Sequence, residues 1–175
     1  MSKLFLTDYA SYNNGTQFEF GHWVDLTEFS DTQEFMDYIN DHFKRADKIS
    51  PLDSPREETM FTDYEDLPDM LYSESLSVAN LDTIFMYINL EDYQKVSFEY
   101  LVNCLGYNAN DINISDIEEY SGIEDYDGIE YDMFEEFYPN FESSNPYISI
   151  NYDNFMYENF NWFTASNAIT YYFYQ

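Results

Sequence analysis

Residues 111–142 read DINISDIEEYSGIEDYDGIEYDMFEEFYPNFE, and twelve of these 32 positions are Asp or Glu, with no Lys, Arg or His among them. A run of like charge this dense is ordinarily a solvated, disordered tail. Here it is threaded with Ile112, Ile114, Ile117, Tyr120, Ile123, Tyr126, Ile129, Tyr131, Phe134 and Phe137. A tail that served solubility alone would need none of these apolar anchors. The stretch therefore reads as carboxylates displayed on a packed scaffold. Residues 116–120 and 131–138 have the spacing of short acidic helices, the second ending near Pro139.

The rest of the chain carries the same two signals in weaker form. Its 175 residues hold 35 acids against 6 Lys and Arg, a formal charge of −29, and 21% of positions are aromatic. Low hydrophobicity with high net charge marks disorder, but so many rings supply enough buried surface for a folded body. An A+T-rich gene would inflate Asn, Tyr, Phe and Ile, yet it would inflate Lys as well, and Lys stands only at positions 3, 44, 48 and 95. The charge is uneven: residues 1–56 hold ten acids and five bases, whereas residues 57–175 hold 25 acids and one base, Lys95. A halophile's acidic surface would account for the total.

Outward from the acidic stretch, Leu4-Phe5-Leu6, Phe18-Glu19-Phe20 and Trp23-Val24 have strand composition, and Asn14-Gly15 predicts a hairpin turn between the first two. Ser30 with Gln33 reads as a capping box opening a helix with Phe35, Met36, Ile39 and Phe43 on one face and Lys44, Arg45 and Lys48 near its end. Residues 49–56 read as a loop, and residues 59–63 as a returning strand. Asn80 is the expected cap of a helix carrying Leu81, Ile84, Phe85 and Ile88, and Asn89 of a second with Val96, Tyr100 and Leu101, closed by Gly106. Residues 151–160 read as helical. Residues 161–164 and 168–174 form an expected terminal hairpin turning at Ser166-Asn167. The fold class is α+β: an elongated chain of small α/β and helical subdomains with short antiparallel hairpins. The expected divisions are an α/β domain over 1–68, a helical middle domain over 69–108, and an acidic helical segment with its hairpin over 109–175.

Most chemistry-bearing motifs fail on inspection. Placing Gly128 at the invariant glycine of an EF-hand puts Asp125 and Asp127 on ligand positions, but Ile123 and Phe134 then occupy the first ligand and the bidentate glutamate positions. His22 and His42 stand 20 residues apart without ligand spacing, so no zinc or other metal site is expected. His22 reads as a strand residue and His42 as a residue of the polar helix side. No phosphate-binding glycine loop and no Ser or Cys nucleophile signature is present. Among 35 acids some pair always falls at a glycosidase spacing, so that signal carries no information. The expectation is a non-enzyme without cofactors. No apolar run approaches the roughly 20 residues of a membrane helix. No basic-then-apolar leader opens the chain, and the lone Cys104 fits a reducing cytoplasm. So little positive charge disfavours direct binding to nucleic acid or an anionic membrane, and the expected partner is basic.

Duplex DNA carries one negative charge per about 1.7 Å, so the formal charge of this chain matches roughly 49 Å of duplex, about 14 base pairs. A compact globule of this length would be only about 40 Å across. Acids three or four apart on a helix lie about 5–6 Å from each other, close to the separation of successive phosphates. Asp132 with Glu135 and Glu136, and Glu124 with Asp127, have that spacing, and the adjoining Glu118 and Glu119 are read in the same role. The carboxylates expected to face a partner are Asp63, Glu65, Asp66, Asp69, Glu91, Asp92, Asp111, Asp116, Glu118, Glu119, Glu124, Asp125, Asp127, Glu130, Asp132, Glu135 and Glu136.

Asp8-Tyr9-Ala10-Ser11-Tyr12-Asn13-Asn14-Gly15, then Gly21-His22-Trp23-Val24-Asp25-Leu26, resembles the N-terminal motif of ArdA antirestriction proteins. Phe61-Thr62-Asp63-Tyr64-Glu65-Asp66-Leu67-Pro68 resembles the segment closing that family's first domain. Beyond residue 70 the likeness is one of composition. The family usually retains some Arg in its last domain, and this chain has none there. The resemblance implies a dimeric DNA mimic from a phage or mobile element, acting in the cytoplasm of a bacterial host. Its implied targets are the methyltransferase and specificity subunits of type I restriction–modification enzymes. A mimic aimed at another nucleic-acid enzyme such as a CRISPR effector, an acidic adaptor for a basic partner, and a carboxylate-based hydrolase are the competing readings.

Overall fold

The computed structural model describes residues 1–145 and 147–175, and packing divides the chain into two compact units, Met1–Leu90 and Glu91–Gln175. The fold is α+β. Each unit builds on a three-stranded antiparallel sheet.

In the first unit β1 (Lys3–Asp8) lies between β2 (His22–Asp25) and β3 (Thr59–Glu65). Leu4 pairs with Val24 and Tyr64, and Leu6 with His22 and Phe61, with the register shifted between Leu4 and Leu6 on the β3 side. Leu4 and Leu6 are buried on one face, where α3 (Thr32–Ile49) contributes Phe35, Ile39, Phe43 and Ala46 to the core. The returning strand stands where it is expected, extended by two residues. The hairpin does not. The chain leaves β1 through α1 (Tyr9–Asn13), turns at Gly15 with φ +70°, and passes through α2 (Gln17–Phe20) before β2. The cause is Asp8, whose Oδ1 accepts the Ser11 N–H at 2.7 Å and so starts a helix where a strand would have continued. Phe18-Glu19-Phe20 is therefore helical despite its strand composition. Gly21 closes α2, and a Cβ there would stand 2.2 Å from the Gln17 carbonyl oxygen.

The α3 cap is Asp31, one residue past the expected Ser30: its Oδ1 accepts the Glu34 N–H at 2.9 Å, while Ser30 N and Oγ donate back to Glu34 Oε2 at 2.8 and 2.9 Å. A carboxylate at both ends of that exchange outcompetes the neutral Ser–Gln pair. Likewise α4 (Val78–Ile88) is capped by Ser77, with Asn80 as its reciprocal partner. The Phe85 ring of α4 lies 5.9 Å from Phe35, which fastens α4 to the first unit.

In the second unit α5 (Asp92–Asn103) is capped by Glu91 and Gln94, two residues beyond the expected Asn89. Gly106, at φ +74°, turns the chain so that the Tyr107 N–H reaches the Leu101 carbonyl at 3.0 Å. There follow α6 (Ile114–Glu119), β4 (Ile123–Glu124), α7 (Ile129–Phe137), α8 (Phe141–Ser144), α9 (Tyr152–Asn159), β5 (Phe160–Thr164) and β6 (Thr170–Tyr174). The terminal hairpin forms as expected, and β4, too short to read from sequence, adds to its β6 side. Successive β6 residues face opposite ways. Phe173 stacks on Tyr100 of α5 at 3.8 Å and 2°. Tyr172 faces the other core of Ile129, Met133, Met156 and Phe160. The sheet is thus sandwiched by α5 on one face and by α7 and α9 on the other. Residues 69–108, expected as one middle domain, are shared between the units, because Phe85 packs on Phe35 and Tyr100 on Phe173. Among the described residues no helix is long and apolar enough to cross a membrane.

Candidate functional site

Of the seventeen expected partner-facing carboxylates, fourteen are exposed, Asp116, Glu130 and Glu135 are half-buried, and none is buried. Their surroundings differ between the units.

In the first unit the four acids at the end of β3 and just after it are already engaged. Glu65 accepts from Lys3 Nζ at 2.8 Å, and Asp66 accepts from the N-terminal ammonium at 2.7 Å. That hydrogen bond, then the ammonium's charge, holds the Asp66 carboxyl below the usual carboxylate range. Asp69 accepts the Tyr64 hydroxyl at 2.6 Å, and Asp63 accepts the N–H of the adjoining Tyr64 at 2.9 Å. Glu65 and Asp66 are consequently not the open acceptors that sequence reading makes them. The motif residues nearby are occupied with local geometry: Asp8 caps α1, Gly15 makes the turn, and Asp25 caps the 3₁₀ turn Leu26–Glu28 through the Thr27 N–H.

In the second unit Glu91 caps α5, Asp92 lies 3.8 Å from Lys95, and Asp116 accepts the Asn113 N–H at 2.9 Å. Glu135 accepts the Asn140 N–H at 3.0 Å, and Asp132 accepts the Tyr126 hydroxyl at 2.7 Å. The bond to Asp132, with lesser contributions from burial and that carboxylate's charge, raises the Tyr126 phenol above its ordinary value. Among the described residues, Asp111, Glu118, Glu119, Glu124, Asp125, Asp127, Glu130 and Glu136 make no side-chain hydrogen bond or ion pair. All eight fall within the acidic stretch.

These groups are held on ordered elements. Ile117 anchors α6 and leaves Glu118 and Glu119 outward, and Ile129, Met133 and Phe134 anchor α7 with Asp132 and Glu136 outward. Glu124 belongs to β4, hydrogen-bonded opposite Tyr171, and the Asp125 N–H is tied to the Thr170 carbonyl at 2.9 Å. Asp127 precedes Gly128, whose φ of +95° starts α7.

The electrostatics of this arrangement are unfavourable to the chain itself. Carboxylates suit a helix N-terminus and cations a C-terminus. Glu130 and Asp132 obey that rule in the first turn of α7. Glu118 and Glu119 end α6, Glu135 and Glu136 end α7, and neither helix has a base in its last turn. Asp132 and Glu136, four apart, add a like-charge pair. Residues that violate local preference without an internal compensation are expected at functional surfaces.

The two histidines, distant in sequence, meet in the first unit. His22 Nδ1 and His42 Nε2 both bond the Phe20 carbonyl oxygen, at 3.0 and 2.9 Å, and the rings lie 4.6 Å apart. His42 is thus half-buried rather than on the polar side of α3. Among the described residues no group of three or more His, Cys, Asp or Glu is placed to hold a metal ion. Sequence reading also missed Arg56, which it left in a loop. Arg56 is fully buried, with Nη1 2.6 Å from Asp47 Oδ1, Nε 3.7 Å from Asp8 Oδ2, and its guanidinium 5.0 Å over the Phe20 ring. Glu99 is the other hidden group: its carboxylate takes the Ser166 N–H and hydroxyl, each at 2.7 Å, and so ties the β5–β6 turn to α5. No periodicity marks either residue. The hydroxyl bonds of Tyr64 to Asp69 and of Tyr126 to Asp132 escape notice similarly, and Tyr126, expected as an apolar anchor, is exposed.

Comparison with known family models, with curated proteins and with solved structures finds no match for this chain.

Proposed function

We propose that this protein is a DNA mimic: an antirestriction protein of the ArdA type that occupies the DNA groove of a type I restriction–modification enzyme, formed by its methyltransferase core and specificity subunit. The observation that carries the reading is the set of unpaired carboxylates on α6, β4 and α7. They are fixed to packed elements, and Glu118, Glu119 and Glu136 among them stand in last turns where helix dipoles and like charges work against them. A basic groove supplies the missing counter-charge. Successive acids on a helix face, about 5–6 Å apart, offer that groove acceptors at close to phosphate spacing. The protein acts by occupancy, without a cofactor or a chemical step, and as a homodimer in the cytoplasm of a bacterial host.

Salt bridges to phosphate and the counterions they release dominate the affinity of such grooves for DNA. The mimic depends on the same cations, so its affinity falls by about tenfold or more between low and moderate salt. The test is a titration of a purified type I methyltransferase carrying a fluorescently labelled cognate duplex. The reading predicts complete displacement of the duplex at 50 mM salt. An acidic adaptor would bind the enzyme and leave the duplex in place. Displacement from a CRISPR effector but not from the methyltransferase would reassign the target.

A further inference from the structure

We propose that the outer face of the first unit's sheet docks arginine side chains of the protein's basic partner, an inference that rests on the partner's character proposed above. Strand alternation puts Trp23 and Asp25 of β2 and Lys3 and Phe5 of β1 on the face opposite Leu4, Leu6 and Val24. Glu65 lies across from Lys3 on this face, and Asp63, two residues before it on β3, belongs to the two-residue stretch, Thr62 and Asp63, that the register shift leaves alongside Phe5. Phe18 of α2 completes an aromatic end: its ring lies 5.9 Å from Phe5, and Trp23 meets Phe5 edge-on at 5.5 Å and 85°. Phe18 is 74% exposed and Trp23 39% exposed.

The other end of the face already holds one cation. Lys3, paired in register with both Asp25 and Glu65, places its ammonium 2.8 Å from Glu65. Asp63 stands exposed between that ion pair and the rings, engaged only by the neighbouring Tyr64 N–H. Ring faces beside carboxylates suit a guanidinium, which stacks on aromatics and still donates in its own plane to an acid. An ammonium, compact and strongly hydrated, gains less from the rings. An apolar partner would strip water from Asp25 and Asp63 without replacing it, and nucleic acid would be repelled.

The test uses the whole protein labelled with 5-fluorotryptophan, whose two fluorine signals report on Trp23 and, in the second unit, on Trp162. Titration with a capped tri-arginine peptide and with capped tri-lysine compares guanidinium and ammonium at equal charge. The Trp23 signal should move saturably, with about three- to fivefold tighter binding of tri-arginine, while Trp162 does not follow. Phe18→Ala, which removes an exposed ring and leaves the core intact, and Asp63→Asn should each bring the preference close to one. Equal affinity for the two peptides at Trp23, or movement of Trp162 with the same midpoint, would overturn the proposal. A protein that displaces DNA from the methyltransferase but shows no arginine preference overturns this surface alone. One that keeps the preference yet displaces no DNA overturns the mimic reading and leaves the docking face standing.

Discussion

Replacing Glu118, Glu119 and Glu136 together by Gln should stabilise the free protein while weakening its grip on a basic groove. All three side chains are exposed and unpaired, and all lie in last turns without a base. Removing a carboxylate from a helix C-terminus recovers about 0.3–1 kcal/mol at low ionic strength. Relief of the Asp132–Glu136 repulsion adds about 0.2–0.5 kcal/mol. The three changes together give about 1–3.5 kcal/mol, which for a unit of this size raises the melting temperature by roughly 5–20 °C. Calorimetry in 20 mM and 1 M salt is the assay. The gain should shrink at 1 M, where the Debye length falls to about 3 Å. Glu130→Gln is the control: the same chemical change in the first turn of α7 removes a favourable dipole interaction and should not stabilise. A melting temperature unchanged or lowered by the triple substitution, or equal gains from Glu130 and Glu136, would refute the reasoning.

Three further outcomes follow from buried groups. Arg56→Ala strands the buried Asp8 carboxylate without its cation and should cost about 3–5 kcal/mol, read from urea unfolding; a loss below 1 kcal/mol would contradict that account. His42 is held below the ordinary imidazole value chiefly by burial, against the opposing pull of its bond to the Phe20 carbonyl. Its contribution to stability is therefore complete above about pH 6.5 and is lost as pH falls from there through the folded-state value; unfolding free energies of His42→Gln should show a shallower slope over that range. A Cβ at Gly122 would stand 2.6 Å from the Phe173 ring, so Gly122→Ala should destabilise the second unit by about 1–3 kcal/mol, seen as a lowered denaturant midpoint.

Long amphipathic elements were legible in the sequence. Phe35, Ile39 and Phe43 mark α3, and the aromatic alternation of the C-terminus marks the β5–β6 hairpin, because burial imposes its period on apolar residues. What failed was governed by single polar groups. The Asp8 cap converts an expected hairpin arm into α1 and α2, and carboxylates at Asp31 and Glu91 move two helix starts past the neutral residues expected to cap them. The boundary at Leu90 is set by which ring meets which, Phe85 with Phe35 and Tyr100 with Phe173, and composition does not encode that choice. The carboxylate surface was legible as a density of charge. Which members are compensated was not, since Lys3 and the N-terminal ammonium reach their acids through tertiary contact, and Tyr64 reaches Asp69 across the turn that follows β3.

The most direct measurement of the central claim is mutual exclusion. Sedimentation of the methyltransferase with labelled duplex and a growing excess of this protein distinguishes one shared groove from two separate sites. Occupancy of a single groove predicts two binary complexes only, with the protein's apparent Kd rising in proportion to duplex concentration. A ternary complex containing enzyme, duplex and protein, or an apparent Kd indifferent to duplex, would contradict it.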